Sequence, residues 1–186
     1  LTAPIRETGM PHGVIEHDTG AGLDTDALVK HAKSFPGLEG LDLAKDVSCR
    51  QIFTWNETPW VWNVGYGHQT APSWRAAVVD FGVKRNILRL LAGSGADITV
   101  LPAQSTAEDV LRHRPHGVLL SNGPGDPAAT GQYAIPMIRG LIDKGVPIFG
   151  ICLGHQMLGL ALGGKTRKMS QGHHGANHPV KGLGTG

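Results

Sequence analysis

The run Gly150-Ile151-Cys152-Leu153-Gly154-His155-Gln156 is entered from the apolar Val146-Pro147-Ile148-Phe149 and left through Met157-Leu158-Gly159-Leu160-Ala161-Leu162. A buried strand that hands over to a helix through one reactive side chain between glycines has the plan of a nucleophile elbow. Small residues at 150 and 154 let the turn be sharp and let the helix lie close to the sheet. A thiol at that point meets the positive end of a helix macrodipole, which favours the nucleophilic thiolate. The competing reading is a buried cysteine acting as a small hydrophobe, and that role does not require a tight turn. Cys152 is therefore the candidate nucleophile. Cys49 has no such context and reads as structural or idle.

The segments ahead of the elbow repeat its strand-to-helix logic. Ala76-Ala77-Val78-Val79-Asp80-Phe81, Ile98-Thr99-Val100-Leu101, Gly117-Val118-Leu119-Leu120-Ser121 and Val146 to Ile151 read as buried strands. Between them, Lys84 to Leu91 carries apolar residues at helical spacing. Ser105 or Thr106 can cap a helix with Glu108 and Asp109 in its first turn, and Tyr133 to Lys144 reads as helical despite Pro136. Such alternation requires crossover connections, so the expected fold is α/β, a mainly parallel doubly wound sheet. Sites in these sheets lie beyond the carboxyl ends of the strands, where both Cys152 and Asn122-Gly123-Pro124-Gly125-Asp126-Pro127 fall.

The front of the chain follows no such alternation. Val14-Ile15 is a candidate strand, and Thr25 a candidate cap for a helix from Asp26 to Lys33, broken by Phe35-Pro36-Gly37. Thr54 to Trp74, with Trp55, Trp60, Trp62 and Trp74, reads as a linker with one irregular hairpin that buries its tryptophans against a neighbour. A net charge of +2 with dispersed Lys and Arg, among 186 residues, gives no footprint for nucleic acid or an anionic membrane. No run approaches the roughly 20 apolar residues of a bilayer span, and no signal-peptide pattern opens the chain. A cytoplasmic location is expected, and two distant cysteines suggest no disulfide scaffold.

Other residues frame the elbow. Gly123 and Gly125 leave backbone N–H groups open to a ligand, and the N–H of Leu153, next to the nucleophile, can point at a developing oxyanion. Read alone, Gly-Pro-Gly-Asp-Pro is a plain turn; beside the elbow it reads as part of a site. His155 follows Cys152 by three residues, but Cys152 sits before the first helical turn and is out of easy reach, so a packed or hydrogen-bonded histidine is expected rather than a general base, and Gln156 is placed to line a polar pocket. The imidazoles of His173, His174 and His178 invite zinc, but no Cys, Asp or Glu accompanies them, and no metal site is assigned.

Together these residues resemble the small, glutamine-hydrolysing subunits of carbamoyl-phosphate synthases, within the class I (triad) glutamine amidotransferases. Gly150 to Gln156 matches the amidotransferase elbow in general. Ser121 to Pro127, Asp80 to Leu88 and Gly172 to Val180 look like the carbamoyl-phosphate version. Arg6 to Gly9, Phe35 to Gly37 and Asp42 to Lys45 look like the part joining that subunit's two domains. The resemblance implies that Cys152 forms a glutamyl thioester, with Gly123, Gly125, Leu153 and Gln156 contacting glutamine. The released ammonia would go to a large ATP-using subunit for carbamoyl phosphate synthesis from bicarbonate, serving arginine or pyrimidine formation. It implies no cofactor in this chain, ATP and Mg belonging to the partner, and no phosphate loop occurs here to contradict that division.

The family's catalytic His and Glu belong to a His-Pro-Glu type segment, whereas His178-Pro179 is followed by Val180. The expectation is an internal fragment with little glutaminase activity. Residues 1–54 would be a remnant of the N-terminal domain, 55–75 a linker, and 76–186 an amidotransferase domain truncated at its C-terminus. Alternatives are another class I amidotransferase, serving anthranilate, guanylate or cytidylate synthesis, and a non-catalytic docking or regulatory module. An α/β-hydrolase would need an acid after its nucleophile, and none of the 34 residues after Cys152 is Asp or Glu.

Overall fold

The computed structural model describes residues 22–169 continuously, together with 5, 7, 9, 11–17, 20, 172, 179 and 182–184. The chain divides into one unit of Leu1–Gly37 with Arg167–Gly186 and another of Leu38–Thr166. In the first, helix α1 (Thr25–Ser34) is capped by Asp24, whose carboxylate accepts the Ala27 N–H at 3.0 Å. Thr25, the expected cap, is instead the first helical residue, because the carboxylate one position earlier reaches the same free amides. The strand expected at Val14-Ile15 is absent: residues 11–17 have no regular structure and Ile15 is fully exposed, with no strand of this unit to pair with among the described residues.

The second unit holds a short helix α2 (Ala44–Val47), strands β1 (Phe53–Trp55), β2 (Glu57–Val61), β3 (Gly65–His68), β4 (Trp74–Asp80), β5 (Ala96–Pro102), β6 (Gly117–Leu120) and β7 (Ile148–Gly150), and four further helices. These are α3 (Arg85–Gly93), α4 (Ala107–Arg112), α5 (Pro127–Asp143) and α6 (Leu153–Ala161). The sheet runs β1-β5-β4-β6-β7, parallel from β5 to β7, with β1 antiparallel at the outer edge. The expected α/β architecture with a mainly parallel sheet is thus observed. After β5 the chain returns to the other side of β4, so the order reverses between β4 and β6, and ligand crevices form at such reversals.

Alternation along β4 explains the two cores. Ala77 and Val79 face Val118, Leu120, Ile138, Leu141, Leu153 and Met157, whereas Ala76 and Val78 face Leu88, Ala92, Ile98 and Val100. Thr106 caps α4 by a reciprocal capping box with Asp109, whose carboxyl is held below its usual range chiefly by the hydrogen bond from Thr106. Helix α5 begins six residues before the expected Tyr133. Asp126 and Pro127, read from sequence as turn formers, occupy the N-cap and first helical position, where a fixed φ and a missing N–H cost nothing.

Residues 38–75, expected as remnant and linker, belong to the same unit as the strands. The anticipated hairpin is β2–β3, fastened to α3 by Arg89. Its guanidinium lies 2.6 Å from the Glu57 carboxylate and 4.2 Å from the centre of the Tyr66 ring. The tryptophans are not all buried: Trp60 and Trp62 meet edge to face at 5.5 Å and remain 51% and 75% exposed. A two-stranded ribbon has two faces, and α3 covers only one of them. No helix among the described residues is long and apolar enough to cross a membrane.

The segment from Leu38 to Arg50 lies across the carboxyl ends of the strands and is held by carboxylates. Asp126 accepts the N–H groups of Ala128 and Gly40, each at 2.8 Å, while Asp42 accepts the hydroxyls of Thr130 and Tyr133. Burial, and then Asp42, push the Tyr133 phenol above its usual pKa, so it remains a donor. Replacing Asp126 by Ala removes both a helix cap and this tie. Urea denaturation should show a loss of about 1–3 kcal/mol, with faster proteolysis near Gly40.

Candidate active site

At the end of β7 the chain turns through Cys152, which has φ 52° and ψ −111° and serves as the N-cap of α6. A non-glycine residue held there stores strain of about 1–3 kcal/mol, which persists only where neighbours enforce it. Two backbone bonds enforce it: the Ile151 N–H donates to the Leu120 carbonyl at 3.0 Å, and the Gly154 N–H donates to the Ser121 carbonyl at 3.1 Å. Both glycines of the elbow are required by space. A Cβ at 150 would lie 2.6 Å from the Gly154 carbonyl carbon and the His155 nitrogen, and one at 154 would run into the Leu120 backbone carbonyl. The Cys152 side chain makes no capping hydrogen bond and is exposed at the carboxyl end of the sheet.

The glycine loop after β6 is built the same way. Gly123 lies so close to Phe81 that a Cβ would collide with the Phe81 carbonyl, and Gly125, at φ 98°, would meet the Leu41 carbonyl oxygen at 2.7 Å. The loop after β4 is stitched to it: Asn122 accepts the Lys84 N–H at 3.0 Å and donates to the Gly82 carbonyl at 2.9 Å. Asp80, almost fully buried, accepts from Gly82, Val83 and Cys49 backbone N–H groups at 2.7 to 2.9 Å.

The structure joins some candidate residues and separates others. Cys152, Leu153 and Gln156 share the elbow and first turn of α6, and the Gly123–Gly125 loop meets that elbow through Ser121 and Gly154. The Leu153 side chain is buried in the core, leaving its backbone as the part available to a ligand. Gln156 is exposed beside the elbow, its N–H bonded to the Cys152 carbonyl at 3.0 Å. His155, expected to be packed or hydrogen-bonded, is exposed instead, because its position in the first turn points away from the core that Leu153 and Met157 enter. His173, His174 and His178 lie outside the described residues; among those described, no group of three His, Cys, Asp or Glu could hold a metal. Asn122 lies, as expected, in the loop beyond β6, whereas Asp80, Ser121 and the Leu41–Leu43 strap are site builders that sequence reasoning gave no role. Of these, Asp80 at the end of β4 and Ser121 just after β6 carried a signal, since each breaks an apolar run.

Cys49 sits elsewhere, on the strap over β4 and β5. Burial, and then the neighbouring Asp80, push its thiol up to about 11. Its thiolate is therefore scarce at neutral pH. An exposed thiol, a strained turn and adjacent backbone amides make an arrangement that can perform acyl transfer through a thioester.

Gly154→Ala forces a methyl group into the Leu120 backbone, and thermal or urea unfolding should show a loss of about 3 kcal/mol or more. Iodoacetamide at pH 7 should modify Cys152 well before Cys49. Modification of Cys49 should rise about tenfold per pH unit until the pH passes its thiol pKa, as mapped by peptide mass spectrometry.

Residues 77–185 match the family model "Glutamine amidotransferase class-I". The whole chain is 63% identical, over 186 residues, to proteins called carbamoyl phosphate synthase small chain from Brucella ovis, Brucella canis and Brucella melitensis. It covers 46% of the length of each, so it spans about half of the curated relatives it matches. With its matching segment beginning in β4 and including the elbow, the chain belongs to the class I glutamine amidotransferase family.

Proposed function

We propose that this chain carries the glutamine-hydrolysing site of a carbamoyl-phosphate synthase small chain. The observation that carries the reading is Cys152, exposed at positive φ where a parallel strand meets a helix, with glycines on both sides that admit no side chain. The sulfur of Cys152 adds to the carboxamide carbon of glutamine, and the carbonyl electron pair moves onto oxygen. The Leu153 N–H stabilises that oxyanion, while Gly123, Gly125 and Gln156 hold the substrate. When the departing nitrogen receives the proton given up by the Cys152 thiol, the oxyanion's electron pair re-forms the carbonyl, the C–N bond breaks, ammonia leaves and a glutamyl thioester remains. Water then cleaves the thioester to glutamate and restores the thiol. Fixed backbone donors suit this task because they need no reorientation as charge develops.

In the same proposal the amidotransferase domain is residues 76–186, preceded by an N-terminal-domain segment 1–54 and a linker 55–75, of which residues 38–75 share one unit with the amidotransferase strands. The ammonia passes to a large ATP-using partner that combines it with bicarbonate, with ATP and Mg bound there. The identity to the small chains supports this reading over other amidotransferases of the class. Two free cysteines fit a reducing, cytoplasmic setting.

The test is peptide mapping after treatment with an electrophilic glutamine analogue, with and without excess glutamine. Labelling confined to Cys152 and blocked by glutamine is expected. Equal labelling of Cys49, or labelling that glutamine does not block, would count against a formed glutamine site.

A further inference from the structure

We infer that Ser121 is a positioning residue that sets the two halves of the oxyanion site in register, its hydroxyl tying the glycine loop to the end of β4 while its carbonyl holds the elbow. The inference rests on the reading of Cys152 as the nucleophile and adds a residue to which that reading gives no role. Ser121 follows β6 directly and is fully buried. Three of its four polar connections bridge segments of the site, and the fourth fixes the peptide that follows it. Its N–H donates to the Val79 carbonyl at 3.2 Å, and its carbonyl accepts the Gly154 N–H at 3.1 Å. Its Oγ accepts the Phe81 N–H at 2.9 Å and donates to the Asn122 carbonyl at 2.8 Å.

The two backbone connections would survive most substitutions, but the two made by the hydroxyl need Ser or Thr. They matter because Phe81 is the residue whose carbonyl leaves no room for a side chain at Gly123. Fixing the Phe81 amide fixes the surface on which the glycine loop rests. Fixing the Asn122 carbonyl orients the peptide that enters Gly123. The Gly154 N–H on the Ser121 carbonyl then holds the peptide that follows Leu153, so one residue links the Gly123–Gly125 donors to the Leu153 donor. Preorganised donors lose their advantage when they drift by a fraction of an ångström, which is the expected consequence of removing this hydroxyl. No charge or metal is involved, and a lost hydroxyl would leave the Phe81 N–H buried without a partner.

The test compares two reactions of Cys152 in the full chain. The γ-p-nitrophenyl ester of glutamate acylates the thiol through a tetrahedral oxyanion and releases p-nitrophenolate. Iodoacetamide alkylates the same sulfur by direct displacement of iodide, with no oxyanion. In Ser121→Ala the acylation rate at saturating ester should fall by about tenfold or more, as for loss of an oxyanion donor. Alkylation of Cys152 should stay within about twofold, since thiol access is unchanged. Ser121→Thr, which keeps the hydroxyl, should restore most of the acylation rate. If Ser121→Ala does not fold, Ser121→Cys, which keeps the volume and weakens the hydrogen bonds, replaces it with the same expectations and with Cys152 followed by peptide mapping. Acylation at the unsubstituted rate, or an equal fall in both reactions, would overturn the positioning role. A chain with native Ser121 that is alkylated but never acylated at Cys152 would instead overturn the nucleophile reading, and this inference with it.

Discussion

Helix α6 begins against the backbone of β6, and this is possible only because residue 154 has no side chain. The Gly154 N–H reaches the Ser121 carbonyl, and a Cβ at that position would occupy the space of the Leu120 carbonyl. That approach fixes where α6 starts, and its buried face (Leu153, Met157, Ala161) then packs into the core shared with α5. The same approach leaves Cys152 with a positive φ at the helix N-terminus. Elbow strain and core packing are therefore two consequences of one close contact, with the packing enforcing the strained turn.

The carboxyl end of the sheet is finished by polar groups rather than by apolar packing. Asp80, Ser121 and Asp126 each follow or end a strand or open a helix, and each accepts hydrogen bonds from loops that would otherwise hold unpaired backbone amides. Buried polar groups are tolerated only when satisfied, and among the described residues no buried side-chain nitrogen or oxygen lacks a partner. The strap from Leu38 to Arg50 completes this arrangement, its Leu41 and Leu43 backbone filling the space that Gly125 leaves. A loop so thoroughly bonded can present its amides to a ligand without rearranging.

The two cysteines show how placement governs chemistry. Cys49 is partly buried beside a carboxylate, which keeps its thiol protonated, whereas Cys152 is exposed beyond the sheet. The hairpin ahead of β4 contrasts in another way. Arg89 anchors it through Glu57 and Tyr66, yet Trp60 and Trp62 remain at the surface, since a ribbon packed on one helix cannot bury both faces.

Legibility followed period and punctuation. The parallel strands, α3, α4 and the elbow were readable because their signals are local: apolar runs of strand length, a Thr-x-x-Asp cap, and one cysteine between glycines. The early start of α5 was hidden because Asp126 and Pro127 serve turns and helix starts equally well. The exposure of Trp60 and Trp62 was hidden because hydrophobicity does not report whether a covering element exists. By itself the sequence determined the fold class, the place of the thiol at a strand-to-helix turn and the family resemblance, since each depends on residues near one another in the chain. Only the tertiary structure decided that residues 38–50 cap the sheet, that Asp80 holds Cys49 and that Ser121 joins Phe81, Asn122 and Gly154. Those contacts depend on which strands become neighbours, and the crossover order β5-β4-β6-β7 settles that.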